Sequence, residues 1–294
     1  MKVLVVANLS KPKVKEAIAT LEPELRRGFE LVGVETDASL DLSQVNVDRI
    51  LVLGGDGTLL SVARRLMGRQ VPILGVNFGR LGFLASFTLD QLRESMSLMR
   101  EDRLPVSRRL MLEASVVGEG ACGGLGDMAE VGMTRRFVAT ALNDAVITAG
   151  SPFRMTELEV GENGETVVRY SGDGLIVSTP SGSTAYNMSA GGPIISPGVA
   201  ALVVTPICPH SLSFRPVVIP ADSTLLIRAV RVNVGTTLFC DGQASTKLLK
   251  GDHVVIRRAA SDLLLLEHPD AHPWRSLAEK LHWALGPSYN RPAT

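Results

Sequence analysis

The chain has 294 residues, is 45% apolar and 20% charged, and carries no net charge. That is the profile of a globular protein longer than one typical domain. It gives no general attraction for nucleic acid or an anionic membrane, so any phosphate-bearing ligand has to be held by local geometry.

The N-terminus, Met1 to Asn8, is too short in its apolar run for a signal peptide or a membrane span and reads as a first strand. The expected location is the cytoplasm. Cys122, Cys208 and Cys240 are scattered, with no Cys-x-x-Cys pair, so neither a disulfide framework nor a structural zinc site is expected.

Up to about residue 104, strands and helices alternate. Strands are expected at 3–7, 31–35, 50–53 and 72–76, and helices at 12–27, 58–67 and 89–100, with Pro23 an irregularity in the first. This order indicates a parallel α/β sheet whose ligands sit beyond the carboxyl ends of its strands. Two loops leave such ends, Gly54-Gly55-Asp56-Gly57-Thr58 and Asn77-Phe78-Gly79-Arg80-Leu81-Gly82-Phe83, as adjacent walls of one cleft. Glycines bring backbone N–H groups close to a ligand, and a helix N-terminus favours phosphate. Asp56 would repel phosphate, which makes sense if it accepts a hydroxyl proton while the glycines hold the phosphate nearby. The competing reading is a plain strand-to-helix turn with Asp56 as its N-cap.

From Pro105 the chain becomes strand-rich. Strands are expected at 110–117, 137–148, 155–160, 166–170, 175–178, 217–219, 224–230, 236–240, 253–257 and 263–266, with Asn163-Gly164 as a hairpin turn. These form a β-rich, sandwich-like second domain. Helical periodicity over 274–285 suggests a segment returning to the first domain. The expected division is therefore 1–105, 106–268 and 269–294. Gly118-Glu119-Gly120-Ala121-Cys122-Gly123 fits G-x-G-x-x-G, but Gly124-Leu125-Gly126 follows where a dinucleotide fingerprint needs a helix. It reads as a hairpin loop.

Asn143-Asp144 interrupts an apolar run, where polar groups are costly unless satisfied. An amide beside a carboxylate suits ribose hydroxyls, since together they donate and accept; a turn or β-bulge fits the residues equally well. The densest stretch runs from Ser171-Gly172-Asp173 through Ser181-Gly182-Ser183-Thr184-Ala185-Tyr186 to Gly191-Gly192-Pro193. A strand there enters a hydroxyl-rich turn and a short helix near Ser183 or Thr184, able to hold phosphate or amide oxygens. A serine hydrolase is not supported, because no G-x-S-x-G elbow is present and no histidine is placed as its base. No H-E-x-x-H or related metal motif occurs.

With both halves read, the chain resembles the bacterial ATP-dependent NAD kinase family. The resemblance rests on the Gly54–Thr58 and Asn77–Leu84 motifs, Leu142-Asn143-Asp144, the 173–193 segment, Pro209-His210-Ser211-Leu212-Ser213 with Arg215-Pro216, and Asp241-Gly242-Gln243. It implies an α/β N-terminal domain, a β-rich C-terminal domain and a dinucleotide cleft between them. It further implies that Asp56 accepts the proton of the adenosine ribose 2′-hydroxyl and that Gly54, Gly55 and Gly57 lie against phosphates. Asn143 and Asp144 would contact ribose hydroxyls, and Asp173 a polar edge of the ligand. Phe78, Thr184, Ala185, Tyr186, Asn187, Met188 and Ser189 would line the pocket, with Gln243 close by and Arg154 as a loosely matching basic residue. The implied partners are NAD and ATP with magnesium or another divalent ion, no protein side chain being a direct metal ligand, in a homodimer or homotetramer. Ser181, Asn187-Met188 and Asp144 depart mildly from the family's pattern. Against a lipid or sugar-phosphate kinase with the same glycine loop stands residues 184–189, which would have no task there. Against a non-catalytic NAD(P) sensor stands Asp56.

Overall fold

The computed structural model describes residues 1–78, 82–118, 135–272, 277–278 and 280–281. The glycine-rich stretch after Gly118 and most of the segment expected as a helix over 274–285 lie outside them. Within the described residues the strands form three six-stranded sheets.

The first sheet runs in the order Glu30–Glu35, Lys2–Ala7, Arg49–Gly54, Ile73–Asn77, Leu263–Leu266, Val106–Arg109. Its first five strands are parallel and the last is antiparallel. Alternate strand residues feed opposite faces, as strand geometry requires. Val3, Val5, Leu51 and Leu53 pack with helices α1 (Pro12–Gly28) and α3 (Leu89–Arg100). Leu4, Val6, Ile50 and Val52 face α2 (Asp56–Arg65) through Leu59, Val62 and Ala63. Both faces are covered, which is why these strands read as unbroken apolar runs. A Thr88–Gln91 capping box starts α3.

The other two sheets are antiparallel. One is ordered Glu165–Gly172, Thr156–Glu162, Leu225–Arg231, His253–Arg258, Leu112–Val117, Arg135–Ala141. The other is ordered Val217–Pro220, Ala201–Ile207, Gly174–Ser178, Asp144–Thr148, Thr237–Cys240, Ala244–Lys247. Ala114, Val116, Leu158 and Ile256 of the first meet Ile147, Val177, Leu202 and Leu238 of the second in one core, so the pair is a sandwich. Asn163 and Gly164 both have positive φ, forming the expected hairpin turn.

Four details differ from the sequence reading. Leu263–Leu266, assigned to the β-rich half, is a strand of the first sheet. The single strand expected over 137–148 is two strands, Arg135–Ala141 and Asp144–Thr148, in different sheets. Val106–Arg109, Ala201–Ile207 and Ala244–Lys247 are strands that the sequence reading did not find. The short helix begins as a 3₁₀ turn at Ser181–Thr184 and continues as α4 (Tyr186–Ser189). The described C-terminal residues 277–278 and 280–281 are helical and return to the first half, where the Lys280 ammonium donates to the Gly82 carbonyl and lies 4.3 Å from the Phe83 ring centre.

Candidate active site

The carboxyl ends of the parallel strands gather the site. Gly54 ends its strand, Gly55 is the extended N-cap of α2, and Asp56 is the first helical residue, where a negative charge complements the helix dipole. The Asp56 carboxylate faces the second loop: Oδ2 accepts from the Phe83 N–H at 2.9 Å, and Oδ1 from Leu84 at 3.3 Å and Ala85 at 3.2 Å. Gly82 packs so closely on this carboxylate that a Cβ would overlap it. A carboxylate offers about two acceptor sites per oxygen, so Oδ1 is filled and Oδ2 keeps one site. The two loops are adjacent as expected, with the Phe78 N–H donating to the Gly54 carbonyl at 3.2 Å. The Phe78 side chain itself packs into the sheet core.

In the second half, Asp241 organises the site. Its carboxylate accepts the amide N–H groups of Leu142, Asn143 and Asp144 at 2.8, 2.7 and 3.1 Å. This is what breaks the chain between its two strands and turns Asn143 outward. Two residues on, the Gln243 side-chain amide donates to the Gly57 carbonyl at 2.8 Å, joining the β-rich half to the glycine loop.

Asn143, Asp144, Ala185, Tyr186 and Gly242 line a cavity of about 320 Å³. Asp144 is only 6% exposed there. Burial, and then the neighbouring Asp241, push its carboxyl up to about 7. Burial also raises Asp241, against the three amide N–H groups and Arg64. A second cavity, of about 240 Å³, lies between Thr184, Ile195, Phe83, Leu84 and Leu277.

Several predicted residues have other tasks. The hydroxyls of the dense turn serve the scaffold: Thr179 donates to the Leu142 carbonyl at 2.5 Å, and Ser183 to Pro180 at 2.7 Å. Asn187 is wholly buried. Its amide donates to the Ser183 and Pro193 carbonyls and accepts from the Thr205 hydroxyl at 2.6 Å, so it holds the turn and does not face the cavity. Neither cavity has Met188 or Ser189 among its walls. Arg154 and Asp173 are exposed, and neither is among the walls of the two cavities. Gly174 pairs with Thr148 and Ser178 with Asp144, so Asp173 lies beyond the far end of that strand, more than roughly 14 Å from Asp144 at ~3.4 Å per residue.

Sequence reasoning gave no role to Asp241, to the 83–85 amides or to the Phe83 side chain, although it named the loop that ends in Phe83 as a wall of the cleft. Asp241 stood in a quoted motif, but a carboxylate that grips backbone has no sequence signal of its own.

A glycine turn on a parallel sheet, facing a carboxylate-lined cavity in a β-sandwich, defines a two-domain nucleotide-binding class. Residues 7–104 match the family model of the ATP-NAD kinase N-terminal domain, and residues 142–267 that of the ATP-NAD kinase C-terminal domain. The chain is 35% identical to an NAD kinase of Rhodopirellula baltica, over 96% of this chain and 87% of that one. It is 44% identical to an NAD kinase of Syntrophotalea carbinolica, over 81% and 79% of the two chains. Among solved structures, yeast NADH kinase complexed with NADH superposes with a TM-score of 0.86 at 25% identity, covering 100% of this chain and 90% of that one. An NAD kinase from Archaeoglobus fulgidus in complex with ATP gives 0.72 at 25% identity, covering 96% and 99%. The chain belongs to the NAD kinase family of enzymes.

Proposed function

We propose that the enzyme transfers the γ-phosphoryl group of ATP to the 2′-hydroxyl of the adenosine ribose of NAD, giving NADP. The observation that carries this reading is the remaining acceptor site on Asp56 Oδ2, whose carboxylate is held by the 83–85 amides at the glycine turn. The 2′-hydroxyl would give its proton to Oδ2 as its oxygen attacks the γ-phosphorus. Gly54, Gly55 and Gly57 would lie against phosphates, and Asn143 and Asp144 would hold ribose hydroxyls from their cavity wall. Ala185 and Tyr186 would bound the same pocket, with Thr184 facing its neighbour. Gln243 would fix the distance between the two halves of the site.

No group of three or more His, Cys, Asp or Glu side chains able to hold a metal occurs among the described residues. The divalent ion that accompanies ATP would enter on its phosphates and neutralise their charge, and no step is assigned to a protein-held metal. Asp173 lies too far from Asp144 to line the same small cavity. The assembly we propose is a homodimer or homotetramer.

The test is NADP formation from NAD, ATP and magnesium by the wild type and Asp56→Asn. We expect turnover to fall by about two to four orders of magnitude, the range for a lost general base. Undiminished turnover in Asp56→Asn would remove Asp56 from the role, and no NADP from the wild type would sink the reaction.

A further inference from the structure

Phosphoryl transfer rests on charge neutralisation around the triphosphate, and in P-loop enzymes a lysine of the glycine loop contributes to it. The motif Gly54-Gly55-Asp56-Gly57-Thr58 contains no such lysine. The fold brings one from a different loop. Strand Lys2–Ala7 lies beside Arg49–Gly54, in register from Val3 opposite Arg49 to Ala7 opposite Leu53, so the residues after Ala7 emerge next to the glycine turn. The Asn8 N–H donates to the Leu53 carbonyl at 3.0 Å, and the Asn8 side chain accepts from the Ser10 N–H and hydroxyl at 3.0 and 2.7 Å. Pro12 then opens α1 directly after Lys11. The backbone of Lys11 is thus fixed from both sides.

Its side chain reaches across to the turn. A Cβ built on Gly55 would stand 2.8 Å from the Lys11 Nζ. Glycine at 55 is what lets the ammonium lie there. No described residue gives that ammonium an ion pair or hydrogen bond, although Asp56 is next in the chain. The Asp56 carboxylate faces the 83–85 amides instead. A Cβ on Gly57 would meet nothing within 4 Å, so the turn is open beside the ammonium.

We propose that Lys11 is the protein's own cation for the donor's phosphates, acting beside the divalent ion, its ammonium contacting non-bridging oxygens of the triphosphate over Gly55. This rests on the reaction proposed above. In that reaction the ribose 2′-oxygen forms a bond to the γ-phosphorus, and the bond from the γ-phosphorus to the β,γ-bridging oxygen breaks. The electron pair leaves on the β-phosphate of ADP, the hydroxyl proton goes to Asp56 Oδ2, and Lys11 takes no part in the proton transfer. Its charge offsets the negative charge that builds on the transferring and leaving oxygens.

The experiment compares wild type, Lys11→Met and Lys11→Arg by steady-state kinetics, with calorimetric binding of ATP and of adenosine. For Lys11→Met we expect kcat/KM for ATP to fall by about 10²-fold or more, the scale of a lost charge-stabilising donor. KM for NAD should stay within about twofold, because Lys11 would touch only the donor. Lys11→Arg should recover most of the loss, since charge and donors remain. ATP binding should weaken while adenosine binding does not. Unchanged kcat/KM for ATP together with unchanged ATP binding would overturn the proposal. So would equal weakening of ATP and adenosine with a lower melting temperature, which marks a scaffold effect. If the wild type forms no NADP, the reaction is wrong, and the comparison of ATP with adenosine still decides the role of Lys11.

Discussion

Asp144 couples protonation to folding. Burial and Asp241 lift its carboxyl to about 7, whereas in the unfolded chain it titrates near ~3.9. Between those values the folded protein keeps a proton that the unfolded chain has released, so folding is favoured there relative to high pH. That contribution is whole below about pH 4 and is lost as pH rises through about 7. Asp144→Asn has no such proton to lose. We therefore expect the variant's melting temperature to match the wild type's at acid pH and to exceed it above about pH 7, with the gap opening as pH rises. A gap that does not change with pH would show that burial of the charge is not what the substitution relieves. Asn187 illustrates a different limit at this scale: its place in the dense motif is visible in the sequence, but its task is not. Whether an amide faces a ligand or Ser183, Pro193 and Thr205 depends on what folds against it.

At the scale of elements, the turn at 82–85 is the piece most sensitive to a small change. Gly82→Ala would put a methyl group where the Asp56 carboxylate now lies, forcing the carboxylate or the 83–85 amides to move. A displacement of about 1 Å at a reacting group can cost about 10²-fold in rate. We expect kcat to fall on that order while the far-ultraviolet circular dichroism spectrum stays that of the wild type. The strands and helices around this turn were largely legible, because apolar periodicity is local: Leu59, Val62 and Ala63 announce α2, and 50–53 its preceding strand. The failures have physical causes. Pro206 argues against a strand, yet Ala201–Ile207 accommodates it: its outer neighbour Val217–Pro220 pairs only with Ala201 to Val204, leaving Pro206 unpaired on that side. The break at Leu142-Asn143 is imposed by Asp241, about a hundred residues away in sequence. The parallel-sheet rule, applied to the first strand as it was to the third, would have directed attention to Lys11.

At the scale of the molecule, the chain does not divide where its composition changes. It leaves the first sheet after Val106–Arg109, builds the sandwich, and returns to insert Leu263–Leu266 between Ile73–Asn77 and Val106–Arg109. Arg109 and Glu267 form an ion pair beside that closure. Residues 1–104 alone would leave Ile73–Asn77 as an uncovered edge, with Ile73, Leu74 and Val76 all buried in the intact protein. We expect that fragment to aggregate, as size-exclusion chromatography and its soluble yield would report; a stable soluble monomer would show that the returning strand is dispensable. One further property follows from how the halves are joined. Asp56, Asp241 and Gln243 all hold main-chain groups, N–H at 83–85 and 142–144 and the carbonyl at 57. Every non-proline residue offers these groups, so side chains such as Phe83 and Asn143 can be exchanged without dismantling the frame. Pocket selectivity can then drift, or be redesigned, independently of the machinery that positions the reaction.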